Sequence, residues 1–422
     1  MSFSQGKSWI WYLIPANITA EGLHTVIPLY VIFLGGGISE VAVIVALHFG
    51  SSAFGSIFWG KIIDRFHVRR AILVVSLFVT LLCCIWLYFT ENLSILFVIS
   101  PIIGFFIVGK NPVTQLLVME SAPKNQWSWL FARTSIIATF GMFGALLIGT
   151  TWSLYFDLSP YFLICGISSG IAIAFSMTIK GSYFHLERSS IAHSIHGLRY
   201  SISHFNFVFP RIPELYDYKH IITIFKGRVS HEIGILFLTT FLFYFGSNMY
   251  FTAYTPLLKA FNFSDSSVFL IYMIQTATMI AIFFVASRLI SKIGEERATM
   301  IAYAPRIAAV LIAGLFIPVM LGIGSFVVAI ISACLMVVAF SIYSTASSVI
   351  LFKSIPQGFE GKYLGVNSSV TGIGVFGSAL ATGQLVNLFG YTVSFLVSAV
   401  ILAASFVLFR EYLRYKMSNG II

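Results

Sequence analysis

Charge is what this sequence has least of. Asp, Glu, Lys and Arg make up 9% of its 422 residues, against 58% apolar and 16% aromatic, whereas an ordinary soluble domain is about 25% charged. So little charge could not cover a water-exposed surface, which excludes a soluble globular fold. Cysteine is also scarce. Cys83, Cys84, Cys165 and Cys334 all stand inside apolar runs, without zinc-ligand or disulfide spacing, and read as small apolar fillers. There is no Gly-x-x-x-x-Gly-Lys-Ser/Thr loop, which argues against direct drive by ATP. His193 and His196 are spaced i, i+3, but no cysteine or carboxylate set completes a metal site. No cofactor or metal is expected. Gly-Ile-Ser-Ser-Gly at 166–170 has esterase spacing but lies within a helical run rather than at a strand-to-helix turn, so no catalytic residue is assigned.

What the chain does have is apolar runs of about 20 residues, each long enough to cross roughly 30 Å of hydrocarbon as a helix. Twelve spans are expected, at 9–34, 40–60, 71–90, 94–118, 129–152, 160–180, 233–258, 266–288, 298–318, 323–352, 363–387 and 390–409. The first has a short polar start and no small-residue cleavage site, and is expected to be a retained helix rather than a signal peptide. The one long polar insert divides the chain into a six-span bundle (1–180), a linker (181–232) and a second six-span bundle (233–422). With the N-terminus inside, nearly all Lys and Arg fall in inside loops, among them Lys61, Arg65, Arg69, Arg70, Lys292, Arg297 and Lys362; only Lys259 falls outside. The net charge of +10 is therefore mostly positive-inside sorting. It does not mark a nucleic-acid partner, which would need a basic soluble face. The expected location is a plasma membrane, among lipids, with both termini cytoplasmic. The linker is expected to be an amphipathic or irregular connector, with 220–229 on the membrane surface.

The two bundles repeat each other. Pro28 in LHTVIPLY matches Pro256 in YFTAYTPLL, and GKIIDRFHVRR (60–70) matches SRLISKIGEER (287–297). Pro123 matches Pro356, and GMFG (141–144) matches GVFG (374–377). The offsets are 228, 227, 233 and 233. Near-constant offsets over more than a hundred residues indicate an internal duplication, as secondary transporters show. Six spans separate the copies, so the axis relating them runs along the membrane normal.

The segment Gly60, Asp64, Arg65, His67, Arg69, Arg70 resembles the signature loop between the second and third helices of the major facilitator superfamily, whose members also carry parallel repeats. It departs from that pattern in having His67 where a glycine is usual. The second copy has Ser291 in the acid position. The resemblance implies an all-α fold of twelve helices in two pseudo-symmetric six-helix bundles that rock about a midplane site. It further implies that Gly60, Asp64, Arg65, Arg69 and Arg70 form a conformational latch against the eleventh helix. The alternative is that these bases only fix topology. Asp64 discriminates, because an acid adds nothing to positive-inside sorting.

Ionisable groups at mid-membrane are functional candidates by default. Glu21 lies near the centre of the first span, with Asn17, His24 and Pro28 at i−4, i+3 and i+7 on one face. Glu21 is read as a proton carrier, a packing acid or a substrate contact. Lys110 either binds an anionic substrate, pairs with Glu21 or is a structural counter-ion. His48 is expected to be a satisfied core histidine, and Arg306 a snorkelling or structural base. In the second half, Asn248, Gln275, Tyr343 and Asn367 are substrate-site candidates, with Tyr244, Thr252, Thr255 and Gln384 near them. Gly141/Gly144 and Gly374/Gly377 have a spacing for close helix approach. The family's antiporter signature in the fifth helix is incomplete here, because Ala145 follows Gly144 without a proline.

The reading is a monomeric, proton-coupled carrier of a small organic solute, with export of a hydrophobic or cationic compound favoured by the acid in helix 1. Import of a sugar or organic anion through Lys110 is the alternative. From another class, an uncoupled channel or lipid scramblase would share the composition but does not call for duplicated halves.

Overall fold

The computed structural model describes residues 8–66, 69–121, 127–179, 231–320, 322–354 and 360–418. Its elements are α1 (Leu13–Phe33, entered by a 3-10 turn, Ser8–Tyr12), α2 (Ile38–Phe66), α3 (Arg69–Tyr88), α4 (Leu93–Ile107), α5 (Lys110–Ser121), α6 (Trp127–Trp152), α7 (Tyr161–Met177), α8 (His231–Ala260), α9 (Asp265–Ile293), α10 (Glu295–Phe316), α11 (Ile323–Ser354) and α12 (Glu360–Ser418). Nine helices among the described residues are long and apolar enough to cross a membrane, α4 and α5 counting as one and α12 holding two passes. Tyr161–Met177 is shorter and α1 is the polar exception, which completes twelve passes. An even number of passes returns the chain to the side where it starts, here called the termini side; the opposite one is the far side. The linker 181–232 lies outside the described residues.

Two boundaries differ from the sequence expectation, each for a backbone reason. The fourth pass is not one helix bent at Pro112 but two pieces, broken at Val108–Gly109. Pro112 has no N–H to give the carbonyl of Val108, and Asn111 N–H bonds that carbonyl instead at 3.0 Å. Pro112 thus stands in the first turn of α5, where its missing donor costs nothing. Trp59 Nε1 donates to the carbonyl of Phe105 at 2.8 Å, covering an acceptor opened by the break. The last two passes have no loop between them: Gly390 alone, at φ 81°, turns the chain.

Within the first six passes α1 packs on α6 and α7, α2 on α4, and α3 on α7; within the last six α8 packs on α12, α10 on α11 and α12, and α9 on α11. The duplication is visible in matched contacts. A Cβ on Gly141 would meet the carbonyl of Ile14 at 2.5 Å, and one on Gly374 the carbonyl of Phe241 at 3.3 Å. The first helix of each half is thus gripped by a small residue of its fifth, which lets backbones approach without lost lipid contact.

The halves touch mainly through α2 on α12 and α6 on α9. Among the described residues two hydrogen bonds join them, Ser266 Oγ to the carbonyl of Thr150 at 2.8 Å and Asn387 Nδ2 to Ser39 Oγ. Both lie on the far side. Close approaches cluster there too, with Gly149 against Phe269 and Gly383 against Ala42. The far side is shut in this conformation.

Candidate functional site

Two hollows lie between the halves. The deeper one, a narrow space, sits beneath the far-side seal and is lined by His24, His48, Phe49, Ser100, Asn248, Phe251, Thr252, Thr255 and Tyr272, among others. The wider one lies toward the termini side and is lined by Ser52, Ser56, Asn111, Gln115, Tyr244 and Thr371 among others. Phe49 borders both. The spacing of α8 explains its share: Tyr244, Asn248, Phe251, Thr252 and Thr255 recur every three or four residues and so occupy one face.

The first half supplies the charge. Lys110, buried at the start of α5, donates from Nζ to Asn17 Oδ1 at 2.7 Å and to the carbonyl of Ala16 at 3.3 Å. Asn17 in turn donates from Nδ2 to the carbonyl of Leu13 at 2.7 Å. Two further ties, Tyr12 to Thr114 and Trp9 Nε1 to Ser121 Oγ at 2.9 Å, fasten α5 to the start of α1. A lysine at mid-membrane costs at least about 2.5–3.5 kcal/mol, and a hydrogen bond to a charged group returns about 1.5–3 kcal/mol. Two such bonds to neutral acceptors therefore stabilise Lys110 without a counter-ion. That leaves Glu21 over.

Glu21 is half-buried, one turn above Asn17, and no hydrogen bond or ion pair holds its carboxylate among the described residues. His24 is exposed into the deeper hollow and meets Phe49 edge-on at 5.7 Å. His48 lines the same hollow and is also tied back, its Nδ1–H donating to the carbonyl of Ser100 at 3.2 Å. A carbonyl only accepts, so this bond places a hydrogen on Nδ1 and leaves Nε2 toward the hollow's side of the ring unbonded among the described residues. The core-histidine expectation describes half of its role.

The second half supplies neutral groups. Asn248 Nδ2 donates to the carbonyl of Val375 at 3.1 Å and to Ser378 Oγ at 3.0 Å, bracing α8 on α12 while the residue still lines the hollow. Thr255 Oγ1 and Tyr272 OH lie 2.9 Å apart on the opposite wall. Gln275 is buried one turn below Tyr272, and Oε1 has no partner. Tyr343 lies elsewhere, fully buried and stacked on Phe243 at 3.4 Å, inside the packing of the second half. Asn367 is half-buried and borders neither hollow, while Ser368 and Thr371 beside it do.

Arg306 takes the structural one of the two roles expected for it: it is 1% exposed and does not snorkel. Nε donates to Ser247 Oγ at 2.8 Å, Nη1 donates to the carbonyl of Met336 at 2.5 Å, and the guanidinium lies over Phe243, Phe251 and Phe340 at 5.2, 5.6 and 5.9 Å. No local pattern announces this cage, because its three rings come from two other helices.

Of the latch residues, the side chains of Asp64 and Arg65 lie outside the described residues. Arg69 is buried and Arg70 exposed. No described residue lies within 4 Å of where a Cβ on Gly60 would sit. The residues that sequence reasoning missed include Phe49, Ser100, Phe251 and Tyr272 of the deeper hollow and Ser52, Ser56, Gln115 and Thr371 of the wider one. Phe251 alone carried a signal, being i+3 from Asn248 and i−4 from Thr255.

The family model described as Major Facilitator Superfamily matches residues 2–303 and, again, 236–418. No curated protein sequence matches the chain. Among solved structures the chain is similar to nucleoside transporter NupG (14% identity, 98% of this chain and 99% of that one, TM-score 0.72). It is similar also to the inward-open conformation of the xylose transporter XylE from E. coli (14% identity, 96% and 94%, TM-score 0.70). A third is a POT family transporter in complex with 5-aminolevulinic acid (15% identity, 97% and 96%, TM-score 0.72). At such identities the likeness establishes a shared fold.

Proposed function

The chain belongs to the Major Facilitator Superfamily, and on that premise we propose that it moves a small organic solute by alternating access, driven by protons that Glu21 carries. The coarser part follows from membership: it is a multi-pass membrane transporter of some solute rather than an enzyme. The finer part rests chiefly on one observation, a carboxylate one helical turn from His24 of the deeper hollow that is left without a hydrogen bond among the described residues while Lys110 is satisfied by neutral groups. Such a group takes and gives up a proton at low structural cost as its exposure alternates.

The units that move are 1–180 and 233–422, with 181–232 between them, in a plasma membrane and with both termini cytoplasmic. The conformation described here then has its extracellular side shut and its hollow open to the cytoplasm. Gly60, Asp64, Arg65, Arg69 and Arg70 close against the eleventh pass in the opposite state. Asn17, Glu21, His24, Lys110 and Asn248 form the working site; Gln275 and Asn367 flank it, and Tyr343 backs it from within the second half. The carrier acts as a monomer.

The test is Glu21→Gln in proteoliposomes, using a solute identified by thermal-shift screening of the purified protein. Gradient-driven accumulation is lost while solute exchange persists. Accumulation at the wild-type level would remove Glu21 from coupling, and uptake that neither saturates nor exchanges would favour a channel.

A further inference from the structure

Among the described residues, neither hollow is lined by an Asp, Glu, Lys or Arg. The charges at this depth are held elsewhere. Lys110 is spent on Asn17 and the carbonyl of Ala16, and Arg306 on Ser247, the carbonyl of Met336 and three phenylalanine rings. Glu21 lines neither space. An ion that leaves water for mid-membrane needs an opposite charge to replace its hydration. These walls hold no fixed charge to meet one.

What the walls do present is hydrogen bonding of both senses. In the deeper hollow Asn248 commits Nδ2 to Thr252 Oγ1, the carbonyl of Val375 and Ser378 Oγ, which leaves Oδ1 to accept. Thr255 Oγ1 and Tyr272 OH, 2.9 Å apart, use one hydroxyl hydrogen between them and leave the other to donate. His48 turns Nδ1 to the carbonyl of Ser100 and keeps Nε2 unbonded among the described residues. The wider hollow continues the pattern with the amides of Asn111 and Gln115. Rings stand around these groups. Phe49, on both hollows, meets His24 and His48 edge-on at 5.7 and 5.5 Å, and Phe251 joins them from the second half. A flat body can lie against such rings while its polar groups find partners.

We propose that the solute is an uncharged ring compound bearing hydroxyl or amide groups, set among Phe49 and Phe251 and hydrogen-bonded by Asn248, His48 and the Thr255–Tyr272 pair. The proposal rests on the transport reading, and it sets aside both the cation and the anion that Glu21 and Lys110 suggested. It has an electrical consequence. With a neutral solute, the proton on Glu21 is the whole charge moved in a cycle. A membrane potential of about 100 mV, negative inside, then multiplies the solute gradient by about 50-fold, whichever way the solute runs.

Binding is measured first, by thermal shift on the full-length protein in detergent, so that it is read independently of transport. The probes are matched sets that differ in charge: benzamide with benzoate and benzylamine, glucose with glucuronate and glucosamine, uridine with its monophosphate. In at least one set the uncharged member should stabilise at concentrations at least about tenfold below its ions, and the set that responds tells an aromatic amide from a sugar or a nucleoside. Tyr272→Phe should weaken that binding by about two- to tenfold, the loss of one hydrogen bond. An ion that binds as well as its uncharged partner, no stabilisation by any uncharged member at about 10 mM, or unchanged binding in folded Tyr272→Phe protein would each overturn the proposal. Proteoliposomes separate it from the reading beneath it. Neutral binding without uptake would refute transport and leave the solute class, and accumulation indifferent to the potential would refute proton coupling and leave it too. Saturable, proton-driven uptake of an ion would refute the class and leave transport.

Discussion

The far-side seal makes one substitution unusually informative. A Cβ on Gly383 would lie 2.6 Å from the Cβ of Ala42 across the two halves, with Ser39 Cα at 3.6 Å and the carbonyl of Ile38 at 3.7 Å. Carbons prefer to stand about 3.5–4.0 Å apart, so Gly383→Ala forces α12 and α2 apart by about 1 Å. Alanine has no rotamer with which to yield. Overpacking of this size costs about 1–3 kcal/mol, and the cost falls only on conformations in which these helices touch. The equilibrium between shut and open far side should therefore move toward open by a factor of about 5–150. Spin labels at Phe33→Cys and Leu388→Cys, both exposed on the far side, would read this by electron double resonance on a Cys334→Ser background. The long-distance population should grow in Gly383→Ala. It should not grow in Gly377→Ala, where the nearest atom, Phe245 Cε2, is at an ordinary 3.5 Å within the same half. An unchanged distance distribution in folded Gly383→Ala protein would refute the view that this contact is a door rather than a fixed joint.

Two smaller tests concern stability. Gly104→Ala would place a methyl 2.3 Å from the carbonyl of His48 and 2.5 Å from Ser51 Oγ, and should lower stability by about 1–3 kcal/mol; Gly144→Ala, with its nearest neighbour at 3.8 Å, should leave the thermal midpoint unchanged or slightly raised. Lys353→Met removes an ion pair with Glu295 whose lysine is 63% exposed, so its thermal unfolding should differ from wild type by less than about 1 kcal/mol, and by less still in high salt. A large loss at Lys353 would mean that the pair fastens α10 to α11.

The fold was legible because membranes impose their length on sequence. Apolar runs set the passes, and the constant offset between Gly141 and Gly374 foretold a contact that recurs in both halves. Where the reading slipped, a backbone detail intervened. Pro112 was visible, but the place where its missing donor would matter was Val108, four residues back. Of the candidate site, spacing along α1 makes Asn17, Glu21 and His24 neighbours on one face, and of these His24 lines the deeper hollow. What remained hidden were partnerships between helices. Nothing in the local sequence tells that Lys110 settles on Asn17 rather than on Glu21, or that Tyr343 turns into the packing while Tyr272 faces the hollow. Arg306 shows the limit most sharply, since its cage is built by Phe243, Phe251 and Phe340 from α8 and α11.

Gly390 turns the chain between its last two passes with no polar residues to spare, at a φ of 81° that side-chain-bearing residues rarely adopt. A hairpin so abrupt has no soluble tip for water to hold, so its two legs must enter the bilayer together as one unit. Any tag, epitope or protease site meant to report from that surface belongs in another turn.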